Sequence, residues 1–416
     1  MDNGLRLVLV PAKENVAAAV LILVEAGSEY ETFEQNGISH FLEHLVFKGT
    51  ARRPRPGMVA AELDALGAEY NAFTAQEYTG YWAKAQSHKL GEVLDLLSDL
   101  YLHPIFDAAE IEKERGVIIE EINMYEDLPM RRVEQIFVSL LYGNQPAGWD
   151  IAGRKEIIRR LKREDILTYR QKHYLPQATT VVIAGNFSEK WAIKEVRRIF
   201  GTLARGKKAA RFVTQEKQGR PQVMIKFKKS DQSHIVLGTR AWNIFDPRRY
   251  VLQVLAEILG GGMSSRLFIR VREEMGAAYY IRAGADLFLD HGYFSVSAGI
   301  DHSKLALAIG AILDELRRIK EKAVEARELK KAKDHLIGGL MLNLETADEL
   351  ASFYGSQEIL TRRLIPPAEI VKRLNRVTAA EVKAAARAIF KDRILNLAII
   401  GPYRRPERFR RLLRLE

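Results

Sequence analysis

"REDILTYRQKHYLP" (163–176) followed by "ATTVVIAGNF" (178–187) reads as a helix leading into a β-branched strand that stops at Gly185. The same plan returns near the C-terminus, where the helix "TAAEVKAAARAIFKD" (378–392) leads into the strand "ILNLAIIGPY" (394–403) around Gly401. The two glycines lie 401 − 185 = 216 residues apart, close to half of a 416-residue chain. So long a period means duplication of a whole domain, not a solenoid. The expected fold is α+β: two related α/β sandwich domains, each a mainly antiparallel sheet flanked by helices. The polar, basic, turn-rich stretch 202–222 is the linker candidate, dividing the chain into 1–205, a linker at 206–222, and 223–416.

Working outward, "LRLVLVPA" (5–12) and "VAAAVLILVEAG" (16–27) read as two neighbouring strands separated by the polar "KEN". The period then changes. Phe41, Leu42, Leu45 and Val46 have helical spacing, ended by Gly49. A helix at 57–66, strands at 68–74 and 78–86, and a helix at 89–102 follow. After Pro104 a long helix is expected, with Asp107 as its N-cap and its end near Asp127, followed by helices near 130–142 and 163–173.

A hydrophobic fraction of 47% and a charged fraction of 28% describe a folded globular protein rather than a disordered or fibrous one. The net charge of +11 comes from Lys and Arg scattered among Glu on helices, so nucleic-acid binding is not expected. There are no cysteines, which excludes disulfides, thiolate metal sites and a Cys nucleophile. The start, "MDNGLRLVLVPAKENV", lacks the layout of a signal peptide, and 16–27 is too short and too interrupted by Glu25 to span a membrane. A soluble, cytoplasmic protein is therefore expected.

Any metal must then be held by His and carboxylates, and "HFLEHLVFKGT" (40–50) concentrates them. On a helix His40 and His44 are i and i+4, one turn apart on one face, where their rings can share a metal. Glu43 is three residues from His40 on that face, able to reach a metal-held water without itself being a ligand. With nine histidines and 53 acidic residues in 416 positions, chance supplies about 0.02 such H-x-x-E-H patterns. The competing reading is an amphipathic helix whose His and Glu are only a solvated face.

Two histidines leave a catalytic zinc one protein ligand short, and with no Cys the third is expected to be Glu or Asp from another helix. The helix from 107 to 127 offers Glu110, Glu112, Glu114, Glu120, Glu121 and Glu126. Its apolar residues Ile111, Val117, Ile118 and Ile122 define the expected buried side, and Glu114, Ile118 and Glu121 form one i, i+4, i+7 line along it. Carboxylates on a partly apolar line need a cation or a metal as partner.

These segments resemble the pitrilysin and insulinase superfamily of zinc peptidases, above all its short-chain branch related to the mitochondrial processing peptidase β subunit. "HFLEHLVFKGT" matches the family's metal helix, and "ERGVIIEEINMYED" (114–127) resembles the segment with the third ligand. The resemblance implies a metalloendopeptidase holding one zinc per chain through His40, His44 and Glu121, with Glu43 as general base and Glu114 orienting a ligand histidine. "NAFTAQEYTGYWAK" (71–84) resembles the family's substrate-pairing edge strand, which implies peptide contacts at Asn71, Ala72 and Phe73. "LGGGMSSRLFIRVREEMGAAYYIRAG" (259–284) resembles the second-domain signature, which implies that Arg272 and Tyr279 hold the substrate carbonyl. In long-chain relatives four such domains close a chamber, with the zinc in the first and the Arg/Tyr pair in the last. A chain with two domains and both elements is expected to form a homodimer in which each protomer completes the other's site, or a heterodimer with a related chain. A non-catalytic core or scaffold subunit is the alternative that the same resemblance leaves open.

Overall fold

A computed structural model describes residues 1–415. The first sheet contains β1 (Arg6–Pro11), β2 (Ala17–Val24), β3 (Glu69–Thr74), β4 (Thr79–Gln86) and β5 (Thr179–Gly185), in the order β1-β5-β2-β4-β3. The second contains β6 (Gln222–Phe227), β7 (Ser233–Arg240), β8 (Ala278–Leu287), β9 (Gly292–Ile300) and β10 (Asn396–Gly401), in the order β6-β10-β7-β9-β8. Replacing each strand of the first sheet by the one five places later reproduces the second. Only β1–β5 and β6–β10 pair in parallel, the other neighbours being antiparallel. The architecture is thus two related α+β units, each a five-stranded, mostly antiparallel sheet flanked by helices.

One expectation is corrected at once: β1 and β2 are not partners, because β5 lies between them. Every residue of β5 is buried, whereas β1 is mostly half-exposed. A strand with no solvated face is stable only with neighbours on both sides, so β5 takes the inner slot and β1 the edge. The unbroken apolar run of β2 has the same origin. Ala18, Val20, Ile22 and Val24 enter the core beneath the 38–45 helix, while Ala19, Leu21 and Leu23 pack on the opposite face with Ala347, Ala351 and Ile359. With both faces covered, the alternation of a half-exposed strand disappears.

The helix Ala347–Thr361 that covers this opposite face comes from the C-terminal half of the chain. Conversely, the helix Pro129–Tyr142 places Val133, Ile136 and Phe137 against Val236, Ala398 and Ile400 of the second sheet. The compact units are therefore discontinuous: residues 1–123, 149–212 and 341–365 form one, and 124–148, 213–340 and 366–416 the other. Between 202 and 221 the backbone forms neither helix nor strand, and Arg211 fastens its first part to the first unit through Glu29 (Nη1 to Oε2, 2.5 Å). No helix among the described residues is long and apolar enough to cross a membrane.

The helix Arg163–His173 ends on an imidazole that is 3% exposed, stacked on Tyr169 (4.2 Å between centroids) and edge-on to Tyr30 (5.9 Å). Burial, helped by the charge of Lys172, lowers the pKa of His173 to about 4. The unfolded chain, with a histidine pKa of about 6.5, binds the proton first on acidification, so the stability held by the neutral ring is complete above pH 6.5 and is lost as pH falls toward 4. His173→Asn is expected to flatten the acid limb of stability by about 2 kcal/mol between pH 6.5 and 4.5. Urea unfolding of metal-free wild type and variant across this range measures the difference, and parallel profiles would contradict the assignment.

Candidate metal centre

The helix Ile38–Leu45 forms because Ile38, Phe41, Leu42 and Leu45 bury one stripe at i, i+3, i+4 and i+7. Gly37 enters it at φ 97°, a conformation that L side chains rarely adopt. A fully buried carboxylate then takes up the free N–H groups of the entry: Glu31 accepts from the backbone of Gly37 (2.7 Å) and Ser39 (2.9 Å) and from Asn36 Nδ2 (3.1 Å). Burial raises the Glu31 pKa, with these hydrogen bonds working against it. They pin the first turn of the helix, from Gly37 to Ser39, immediately before His40.

The long helix Ala108–Asp127 faces it, and Asp107 Oδ1 caps its start by accepting from the backbone of Ala109 (2.9 Å) and Glu110 (3.2 Å). Ile111, Glu114, Ile118 and Ile122 are its buried residues. Val117, expected on that side, is instead 48% exposed: it lies about 100° from Ile118 around the helix, outside the buried stripe. Glu112 and Glu120 are exposed as well.

His40, His44 and Glu121 converge. Nε2 of His40 is 3.3 Å from Nε2 of His44, and Glu121 Oε2 lies 3.5 Å from the first and 3.4 Å from the second. Four ligands placed tetrahedrally about 2.0–2.1 Å from a zinc ion would stand roughly 3.3–3.4 Å apart, so the triangle has the size and the N, N, O donor set of a zinc face.

Glu114 explains which nitrogen of His44 faces the triangle. Its Oε2 lies 3.1 Å from His44 Nδ1, and its Oε1 lies 2.5 Å from Lys48 Nζ. Burial works to raise the Glu114 pKa, but the bonds from His44 and Lys48 outweigh it and hold the carboxyl below its ordinary value. An ionised carboxylate can only accept, so Nδ1 carries a proton and Nε2 is left toward His40 and Glu121. For His44 itself, burial disfavours the charged ring, yet Glu114, Glu121 and Glu43 together hold the pKa up to about 9. His40 behaves oppositely: burial, reinforced by the neighbouring His44, lowers its pKa to about 4.

Glu43 stands beside the triangle with Oε2 accepting from Thr74 Oγ1 at 2.6 Å. Burial raises its pKa, opposed by the Thr74 bond and the charge of His44. Thr74 ends β3, an edge strand bonded only to β4. On that strand Asn71 is exposed and its Oδ1 accepts from the Ala72 amide (2.9 Å). Phe73 turns to the other face, edge-on to Tyr78 at 5.8 Å.

Arg272 and Tyr279 belong to the second unit. Arg272 lies in a π-helical segment, Phe268–Glu274, with its guanidinium 4.7 Å above the Phe268 ring and 5.9 Å from the Tyr279 ring. Tyr279 is 73% exposed because the ladder between β8 and β9 slips at that residue, a bulge that turns its side chain out of the register. Tyr280 returns to the ladder, and its hydroxyl meets His234 Nδ1 at 3.1 Å.

Three residues of this neighbourhood escape a reading of motifs alone: Glu31, Lys48 and Thr74. Lys48 was within reach, being four residues beyond His44 and so on the histidine's side of the chain, toward the helix whose carboxylates need a cation. Glu31 and Thr74 act through the chain's return to the helix, which spacing does not encode.

Residues 6–155 match the family described as Insulinase (Peptidase family M16), and residues 160–336 match the Peptidase M16 inactive domain. A Bacillus subtilis (strain 168) protein named "Uncharacterized zinc protease YmxG" is 34% identical over 402 residues, which cover 96% of this chain and 97% of the relative. The chain belongs to the pitrilysin/insulinase (M16) family. Among solved structures, this M16 fold is shared with a protease from Helicobacter pylori (TM-score 0.89, 22% identity, 97% of this chain and 98% of that one). It is shared also with a chain of complex III2 from Candida albicans (TM-score 0.85, 16% identity, 99% and 98% covered).

Proposed function

We propose that this M16 chain is a zinc metalloendopeptidase that cleaves extended or unfolded peptides, with His40, His44 and Glu121 holding one zinc. The observation that carries the reading is the His40–His44–Glu121 triangle with edges of 3.3 to 3.5 Å. The names of relatives such as the Bacillus subtilis zinc protease agree with it. Bound zinc supplies Lewis acidity, bringing the pKa of water toward 7 and polarising a peptide carbonyl. Three protein donors leave an open position, as in catalytic rather than structural sites.

The chain's own residues do the rest. Glu43, its basicity raised by burial, takes the proton of the attacking water and passes it to the leaving amine. Glu114 keeps Nε2 of His44 turned to the metal. The open edge of β3 at Asn71, Ala72 and Phe73 offers backbone groups to an extended peptide, which would add as a further strand. Arg272 and the exposed Tyr279 supply a cation and a hydroxyl for the carbonyl oxygen as it gains charge.

Because one chain carries both the metal helix and the Arg272/Tyr279 pair, a homodimer in which each protomer completes the partner's site, enclosing a clam-like chamber, is the assembly we propose. Light scattering after size exclusion is expected to give twice the 47.2 kDa chain mass under active conditions, and an active monomer would contradict it. The fold shared with a complex III2 chain favours one second reading, a non-catalytic core subunit or one half of a heterodimeric peptidase. Zinc content together with cleavage of a quenched unstructured peptide separates them: zinc with turnover supports the peptidase, and zinc without turnover the second reading.

A further inference from the structure

We propose that Thr74 is a positioning residue for Glu43, tying the base to the edge strand on which the peptide would lie; this rests on the reading of Glu43 as general base. Residues of β3 alternate between faces: Tyr70 and Ala72 pack on the core shared with the 38–45 helix, and Phe73 on the opposite one. Thr74 therefore faces the motif helix, and its Oγ1 reaches Glu43 Oε2 at 2.6 Å, a short charge-assisted bond.

The donor is itself held. Thr74 pairs with Thr79 across the hairpin, whose turn is closed by Ala75 N to Tyr78 O (2.9 Å). That hairpin is docked by Glu29 N to Gln76 O (2.8 Å) and by Thr79 Oγ1 to Ala26 O (2.8 Å). A glutamate has three rotatable torsions and, with one oxygen tethered, retains one orientation for the other. Threonine suits the place because branching at Cβ restricts its χ1 and so aims the hydroxyl. A peptide aligned on β3 and a base bonded to the end of β3 share one frame, so loss of the bond should slow the chemical step and leave binding unchanged.

Thr74→Val keeps the shape and deletes the donor. The expected result is a kcat lowered about 10- to 100-fold with KM and zinc content unchanged, and most of the activity restored in Thr74→Ser. Val with wild-type kcat, or Ser as impaired as Val, overturns the proposal; should Val fail to fold, Thr74→Ala against Thr74→Ser decides in the same way. Crystal structures of zinc-loaded wild type and Thr74→Val read the point without turnover: Glu43 is expected to leave its single conformation in the variant, and an unmoved Glu43 overturns the role. Failure of the underlying reading has a different signature, a Glu43→Gln enzyme as active as wild type.

Discussion

Glu43→Gln is expected to retain about one zinc per chain and to lose roughly 10³-fold in turnover, the middle of the range for removal of a general base. The amide has the shape of the carboxylate, and its oxygen can still accept from Thr74 Oγ1, so the local packing survives. What it cannot do is take a proton. The triangle of His40, His44 and Glu121 closes without Glu43, which is why the metal should stay. Burial, the leading influence on Glu43, raises its pKa and so makes it a stronger base than an exposed glutamate. Metal analysis and steady-state cleavage of a quenched peptide measure both halves of the expectation. A variant with near-normal turnover would remove Glu43 as base, and one that loses its zinc would make Glu43 a ligand.

Much of this is legible in the sequence, for particular reasons. The helix read at 163–173 spans Arg163–His173, and the strand after it stops at Gly185, because apolar period and a terminal glycine are local signals. Its counterpart, Ala379–Ile389 followed by β10, shares those signals, and so the duplication could be read from one repeated pair. The i, i+4 histidines were readable as neighbours because a helix converts spacing into direction, and their Nε2 atoms are 3.3 Å apart. Long-range placement was not legible. Nothing in "LRLVLVPA" says that a strand 170 residues later will separate it from β2, since burial of β5 on both sides is a property of the finished sheet. The helices 129–142 and 347–361 carry no local mark of the sheet they cover, and only those sheets reveal their units. Val117 lies on the exposed side, against the sequence expectation, because an apolar residue at the margin of a stripe can fall on either side of it.

Glu114 and Glu121 pose the sharpest remaining distinction, since the sequence places both on one helical line and the structure gives both a contact with His44. Their contacts are not equivalent. Glu121 meets Nε2 of both histidines, whereas Glu114 meets Nδ1 of His44 and is neutralised by Lys48. Glu121→Ala is accordingly expected to weaken zinc binding on the order of 10³-fold, as a total binding free energy of roughly 10–16 kcal/mol divided among a few ligands implies, and to abolish turnover at ordinary zinc concentrations. Glu114→Ala removes only the group that orients a ligand, and a loss of about 10- to 100-fold is expected. Competition for zinc against a chelator at one fixed pH ranks the two directly. If Glu114→Ala proves the more damaging, the ligand is Glu114 and the triangle is a contact of the metal-free protein. If the order is as stated, the carboxylate that completes the donor set is the one seven residues further along the same helix, and the distinction that spacing left open is settled by which imidazole nitrogen each carboxylate meets.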